Sequence, residues 1–223
     1  MKFRSYPDRD MMMLDLANVL ASELAAALRQ NDEASFCVPG GTTPGPVFDV
    51  LSALRIDWSR VVVFASDERW VPETDARSNG RMIGARLLTG RAAAARYIPL
   101  YAAGMTPEQA LGRLAAALEP HLPISVLLLG MGADMHTASL FAGAPGLTRA
   151  LAADAPTLVA LRPPGASEKR VSLTAPVLSG ALAVHVVITG DDKRAALDRA
   201  MQLAPHEAPV KAVLANATVH WAA

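Results

Sequence analysis

The feature that most narrows the fold of this 223-residue chain is a series of short apolar runs spaced along it. Val61 to Ala65 reads Val-Val-Val-Phe-Ala, Ile124 to Leu129 is almost unbroken, and Ala183 to Ile188 is nearly as apolar. Successive side chains on a strand point to opposite faces. A run of this kind therefore needs both faces covered, as in a parallel sheet layered between helices. Ser35 to Val38, Tyr97 to Leu100 and Thr157 to Leu161 are shorter runs of the same kind, and Thr218 to Trp221 suits a closing edge strand.

Helical patterns fall between the runs. Met12, Leu16, Val19, Leu20, Leu24 and Leu28 repeat at helical spacing over Met11 to Leu28, with Asp10 placed as N-cap. Pro44 to Leu54 carries proline in its first turn. Asn79 to Leu88 fits another helix, and Thr106-Pro107-Glu108-Gln109 opens one that runs to Leu118 with threonine as N-cap. A last helix follows Lys193 to about Leu203. The alternation predicts an α/β fold: a doubly wound, mainly parallel, Rossmann-like sheet with helices on both faces. No repeat or long linker interrupts it, and residues 1–223 read as one domain.

Composition narrows function by exclusion. Lys plus Arg and Asp plus Glu number 21 each, so the chain lacks the basic excess expected of a general nucleic-acid binder. A local phosphate site needs only a few cations and is compatible with neutrality. The single cysteine, Cys37, lies in an apolar run and reads as a small core residue, and no intramolecular disulfide can form. Met1 to Asp10 is polar and mixed in charge, without the apolar core of a signal peptide. No apolar stretch is read as long enough to span a membrane. The expectation is a cytoplasmic protein with neither nucleic acid nor membrane as partner.

Polar and glycine-rich clusters follow four of the runs: Gly40 to Thr43, Asp67 to Arg69, Asp134 to Thr137 and Gly190 to Lys193. Ligands of open α/β sheets bind beyond the carboxyl ends of the strands, so the four clusters should share one edge. Gly40-Gly41-Thr42-Thr43-Pro44 leads into a helix. Its glycines let the backbone approach an anion that the free N–H groups face, although a tight capped turn uses the same residues. No Gly-Lys-Ser/Thr or Gly-x-Gly-x-x-Gly accompanies it. Asp67 and Arg69 either face a ligand or are solvated at a strand end. His136 stands beside Asp134 after a glycine turn, a setting for a general base near neutral pH, since an unperturbed imidazole has a pKa of about 6.5. His121, His185, His206 and His220 have no such setting, and no His-x-x-x-His or Cys-x-x-Cys spacing offers a zinc site. Arg170 and Lys193 are either solvated cations or partners for a phosphate, the one as a fork and the other as a point charge.

In this order the clusters resemble the 6-phosphogluconolactonase family. The matching elements are Gly40-Gly41-Thr42-Thr43-Pro44, Asp67-Glu68-Arg69-Trp70-Val71-Pro72, Ser78-Asn79, the string from Gly130 to Phe141, Arg170 with Leu173-Thr174, and Gly190-x-x-Lys193. They span roughly residues 38 to 193. His136-Thr137-Ala138-Ser139-Leu140-Phe141 is the most specific of them. The resemblance implies hydrolysis of a phosphorylated sugar lactone, with no cofactor and no metal. It implies that His136 activates water and that Asp134 and Asp67 orient the site and the sugar. Gly40, Gly41, Thr42 and Thr43, with Arg170 and Lys193, would hold the phosphate, and Arg69, Asn79 and Thr137 would complete the substrate-binding set. The fold is shared with glucosamine-6-phosphate deaminases and, more remotely, ribose-5-phosphate isomerases.

Two positions depart from the family pattern. Met135 stands where glycine is usual, and a positive φ there would strain it. Ala142 stands where proline is common. Deaminase or isomerase chemistry on an aminosugar phosphate is the nearest alternative, but its motif typically carries a glutamate bearing on the histidine. Phe141 occupies that place here and is not expected to orient or charge an imidazole. A non-catalytic sugar-phosphate binding module is the other alternative, favoured only by Met135.

Overall fold

The computed structural model describes residues 1–223. The strands are β1 (Lys2–Ser5), β2 (Ala34–Val38), β3 (Val61–Ala65), β4 (Asp67–Arg69), β5 (Arg96–Ile98), β6 (Val126–Gly130), β7 (Leu158–Leu161), β8 (Arg170–Leu173), β9 (Ala183–Thr189) and β10 (Ala217–Ala222). The helices are α1 (Arg9–Gln30), α2 (Gly45–Ala53), α3 (Asn79–Arg86), α4 (Pro107–Leu118), α5 (Leu147–Leu151), α6 (Ala175–Ser179), α7 (Asp191–Ala200) and α8 (Lys211–Leu214). Seven strands form one parallel sheet in the order β1-β10-β9-β6-β2-β3-β5. All five residues of β2 and of β3 are buried, so both faces of the sheet are covered and the unbroken apolar runs are accounted for. From β2 the chain moves one way to β3 and β5 and the other way to β6, β9 and β10. The strand order thus reverses between β2 and β6.

Several elements differ from the sequence reading. Asp8, not Asp10, caps α1: its carboxylate accepts from the Met11 N–H at 2.7 Å, and Asp10 lies in the first turn, where the helix dipole favours a negative charge. The polar segment before α1 contains β1, whose mostly exposed side chains hide it from a search for apolar runs. β1 pairs in parallel with β10, so β10 is not an edge strand. The 158–161 run does not join the parallel sheet. It pairs antiparallel with β8, and β8 with β4, in a separate three-stranded sheet. α1 has 22 residues and, by length and composition alone, is apolar enough to cross a membrane. Met12, Leu16, Leu20 and Leu24 are nevertheless fully buried, and the helix packs on β2, β6 and β10, which is the geometry of a core helix. The Thr106 capping box at α4 forms as expected.

The buried end of the sheet also holds a polar chain. His185 on β9 and His220 on β10 approach Nδ1 to Nε2 at 3.0 Å. Glu23 on α1 lies 2.7 Å from His185 Nε2, and the Tyr6 hydroxyl lies 2.8 Å from His220 Nδ1 and 2.7 Å from Asp15. Burial, followed by His185 and Arg4, pushes the His220 imidazole down to about 3, so the folded protein holds it uncharged. The unfolded chain takes up that proton first on acidification. The stabilisation is complete above an unfolded imidazole value of about 6.5 and is lost as pH falls toward the folded value. Unfolding free energy measured against pH should therefore fall over this window. His220→Asn should remove up to one proton from the slope, about 1.4 kcal/mol per pH unit.

Candidate active site

The four polar clusters follow β2, β3, β6 and β9, which are consecutive neighbours in the sheet. Their loops meet over the β2–β6 reversal, where no crossover covers the strand ends. A cleft of about 260 Å³ opens there. Gly40, Gly41, Thr42, Thr43, Asp67, Arg69, Asn79, His136, Arg170 and Lys193 all line it, so ten residues singled out in the sequence converge on one cavity.

His136 lies in the turn after β6. Its Nδ1 is 2.5 Å from Asp134 Oδ1, and its side chain is 30% exposed. A carboxylate at Nδ1 favours the tautomer with hydrogen on that nitrogen and leaves the Nε2 lone pair available. Burial raises the Asp134 carboxyl, but the hydrogen bond and charge of His136, with backbone N–H groups, bring it below the usual carboxylate range. Gly132 makes the pair possible: a Cβ there would lie 2.2 Å from His136 Nδ1 and 2.3 Å from Asp134 Oδ1. Asp134 itself is exposed and lies behind the imidazole, outside the cleft lining. Thr137 is fully buried, and its hydroxyl donates to Gly130 O at 2.9 Å. It fastens the turn to the end of β6 and does not face the cleft.

Phe141 stacks on the His136 ring with centroids 4.0 Å apart and planes 20° apart, an arrangement worth roughly 0.5–1.5 kcal/mol. Phe141, expected from its lack of charge to have no part in orienting the imidazole, is in direct contact with it. It supplies no hydrogen bond or charge, but it packs on the ring's face. The Arg170 guanidinium lies 5.6 Å from the centroid of the same phenyl ring.

The second wall comes from the small sheet. Asp67 is 5% exposed, and its carboxylate accepts from Ser139 Oγ at 2.5 Å and Ser66 Oγ at 3.1 Å. Arg69 and Arg170 face one another in register on β4 and β8. Both leave a buried Nε without a partner. Like charges directly opposite on paired strands repel, and an anion in the cleft would relieve both the charge and the unmet donors. Burial holds the Arg170 guanidinium below its ordinary pKa; Asp67 opposes this and Arg69 adds to it.

Glu68, quoted in the sequence motif without a role, joins these parts. It is 1% exposed and accepts from the backbone N–H groups of Asn79, Gly80 and Arg69 at 2.7, 2.7 and 2.8 Å and from Ser78 Oγ at 3.1 Å. Burial raises its carboxyl despite these donors. Asn79, fixed in this way, donates to Asp67 O at 2.8 Å and fills the space that a Cβ on Gly40 would need, 1.9 Å from its Oδ1. Lys193, in the first turn of α7, brings the remaining cation to the cleft. No three His, Cys, Asp or Glu side chains converge as a metal-binding group.

Fold and cleft together define a parallel α/β protein with a cationic, histidine-bearing cleft at its topological switch point. The chain belongs to the glucosamine-6-phosphate isomerase/6-phosphogluconolactonase family, whose model matches residues 7–221. It is 38% identical to a 6-phosphogluconolactonase of Mesorhizobium japonicum, over 99% of this chain and 94% of the relative. It is 39% identical to one of Pseudomonas aeruginosa, over 92% and 88%. A crystal structure of a 6-phosphogluconolactonase from Shewanella baltica superposes with a TM-score of 0.96 at 32% identity, covering 100% of this chain and 98% of the other.

Met135 has φ of 66°, so the left-handed conformation foreseen for this position is present in a methionine. Its carbonyl accepts from the Val210 N–H at 3.0 Å, which ties the turn to the segment before α8. Relief of about 1–2 kcal/mol of left-handed strain in Met135→Gly is offset by the roughly 0.5–1 kcal/mol entropic cost of glycine and by lost packing. The variant should keep the fold, with a denaturant-derived unfolding free energy within about 1 kcal/mol of the parent.

Proposed function

We propose that this chain hydrolyses 6-phospho-D-glucono-1,5-lactone to 6-phospho-D-gluconate, the lactone-opening step of the oxidative pentose phosphate pathway, with His136 as general base. The observation that carries the mechanism is the Asp134–His136 pair at 2.5 Å, set in a cleft whose other polar groups are largely cationic or hydrogen-bond donors. The identity to curated 6-phosphogluconolactonases over nearly the whole chain supports the substrate.

Water attacks C1 of the lactone while Nε2 of His136 takes one of its protons. The resulting imidazolium is stabilised by the Asp134 carboxylate. The tetrahedral intermediate then collapses, the bond from C1 to the ring oxygen breaks, and the imidazolium returns the proton to that oxygen. The net change is addition of one water, with no cofactor consumed. Negative charge on the former carbonyl oxygen needs preorganised donors, and backbone N–H groups of the glycine turns are suited to supply them. Asp67, held by two serine hydroxyls, faces the sugar hydroxyls. Gly40 to Thr43, Lys193 and Arg170 hold the phosphate, with Arg69 and Asn79 completing the wall. Phe141 in contact with His136 leaves no room there for the acidic partner of the deaminase motif, which favours lactone hydrolysis over aminosugar chemistry. The substrate and the family point to a cytoplasmic setting.

His136→Ala should lower kcat by roughly 10²- to 10⁴-fold while still binding 6-phosphogluconate, with the spontaneous opening of the lactone subtracted. The parent rate should fall on acidification through a limb that the variant lacks. A near-normal kcat with an unchanged pH profile would move the base elsewhere, with Asp67 next in line. Arg170→Ala should mainly weaken use of the phosphorylated substrate and do little to residual activity on unphosphorylated gluconolactone. Because binding energy at a remote group also serves the reacting carbon, kcat should share in that loss. Equal losses on the two substrates would remove Arg170 from the phosphate.

A further inference from the structure

We infer that Phe141 is a positioning residue for the reaction: its ring, stacked on His136, fixes the imidazole orientation that the Asp134 hydrogen bond alone leaves loose. The inference rests on the reading of His136 as the base.

A hydrogen bond at Nδ1 restrains one atom of the ring, while rotation about the side-chain bonds can still swing the opposite nitrogen. Asp134 is a weak anchor by itself, because its side chain is 59% exposed and water competes for its oxygens. Gly132 bounds the Nδ1–Cε1 edge of the ring, as the short distances to a hypothetical Cβ there demonstrate. What remains is the ring face, and Phe141 covers it at 4.0 Å with a 20° tilt. The three contacts act on different parts of the imidazole: a nitrogen, an edge and a face. Together they leave Nε2 as the nitrogen free for chemistry.

Phe141 is itself held. It lies one residue after Leu140, which is fully buried and whose N–H donates to Thr137 O at 3.0 Å, so the segment from the base to the phenyl ring is a closed turn. The Arg170 guanidinium over the phenyl ring adds a contact from the small sheet. The ring that packs on the base therefore also touches one of the two facing arginines.

The test compares Phe141→Leu, which keeps apolar bulk without a flat face, with Phe141→Tyr, which keeps the face, and with His136→Ala. Steady-state rates on the lactone are combined with ¹⁵N spectra of the histidine rings, the His136 signal being assigned by its absence in His136→Ala. Phe141→Leu should lower kcat tenfold or more with KM within about threefold, because misorienting a reacting group acts on turnover more than on binding. Its His136 ring should pass from the Nδ1–H tautomer to a mixture. Phe141→Tyr should retain both the parent kcat and the single tautomer. A Leu variant with parent turnover and an unchanged ring spectrum overturns the positioning role, even if His136→Ala confirms the base. If His136→Ala is fully active, the base assignment fails instead. The ring spectra of the Leu and Tyr variants then decide separately whether Phe141 orients the imidazole.

Discussion

The reversal of strand order between β2 and β6 is the constraint on which the cleft depends. Parallel strands deliver all their carboxyl ends to one edge, and each crossover normally covers the ends it leaves. Where successive connections diverge to opposite sides, the edge stays open. Here the two strands at the reversal are nearly dry, and each leads through a glycine-containing turn to its first polar side chain, Thr42 after β2 and Asp134 after β6. The site is thus a by-product of sheet topology, made specific by what each loop carries.

Rigidity in the cleft comes from buried polar groups that are individually costly. Glu68 gives up water for four donors, three from the N-cap and first turn of α3 and one from the Arg69 backbone on β4, and its raised pKa reflects a burial that those donors only partly offset. Asp67 makes a similar exchange with two serines. Satisfied in this way, each carboxylate ties together segments distant in sequence: Glu68 joins β4 to α3, and Asp67 joins β4 to the turn that bears His136. Arg69 and Arg170 are left with buried donors unmet. The asymmetry between fully paired acids and incompletely paired bases is what suits the cleft to the phosphate proposed for it.

Much of this was legible in the sequence because it depends on local pattern. The parallel strands announced themselves as apolar runs, α4 by its capping box, and eight of the ten cleft residues by their places at run ends, while Arg170 was singled out as a candidate phosphate partner and Asn79 by the family resemblance. What was missed depends on pairing across distance. β1 is a mostly exposed edge strand without periodicity, β4 is three charged residues in a row, and β8 alternates polar and apolar ones over only four positions, so all three read equally well as loops. Thr137 was placed in the substrate-binding set by the family resemblance, whereas its hydroxyl here bonds back to Gly130 O. Ser139, quoted in the motif without a role, gains one only when the fold brings its hydroxyl to the Asp67 carboxylate. Phe141 was judged by its lack of charge, although its flat face is what meets the imidazole.

The pairing of β1 with β10 links the two extremes of the chain. The amino group of Met1 donates to Ala215 O at 2.8 Å, and Arg9 Nε donates to Ala223 O at 2.8 Å, each across 214 residues. β1 is synthesised first, yet its only strand partner is made last, and β10 in turn fills the place between β1 and β9. During synthesis the strands from β2 to β9 can assemble as the chain emerges, whereas this flank of the sheet must wait for β10. Until then α1 has no β10 to pack against, and its apolar face is partly uncovered. That interval, rather than the finished fold, is when this protein is most open to misassociation.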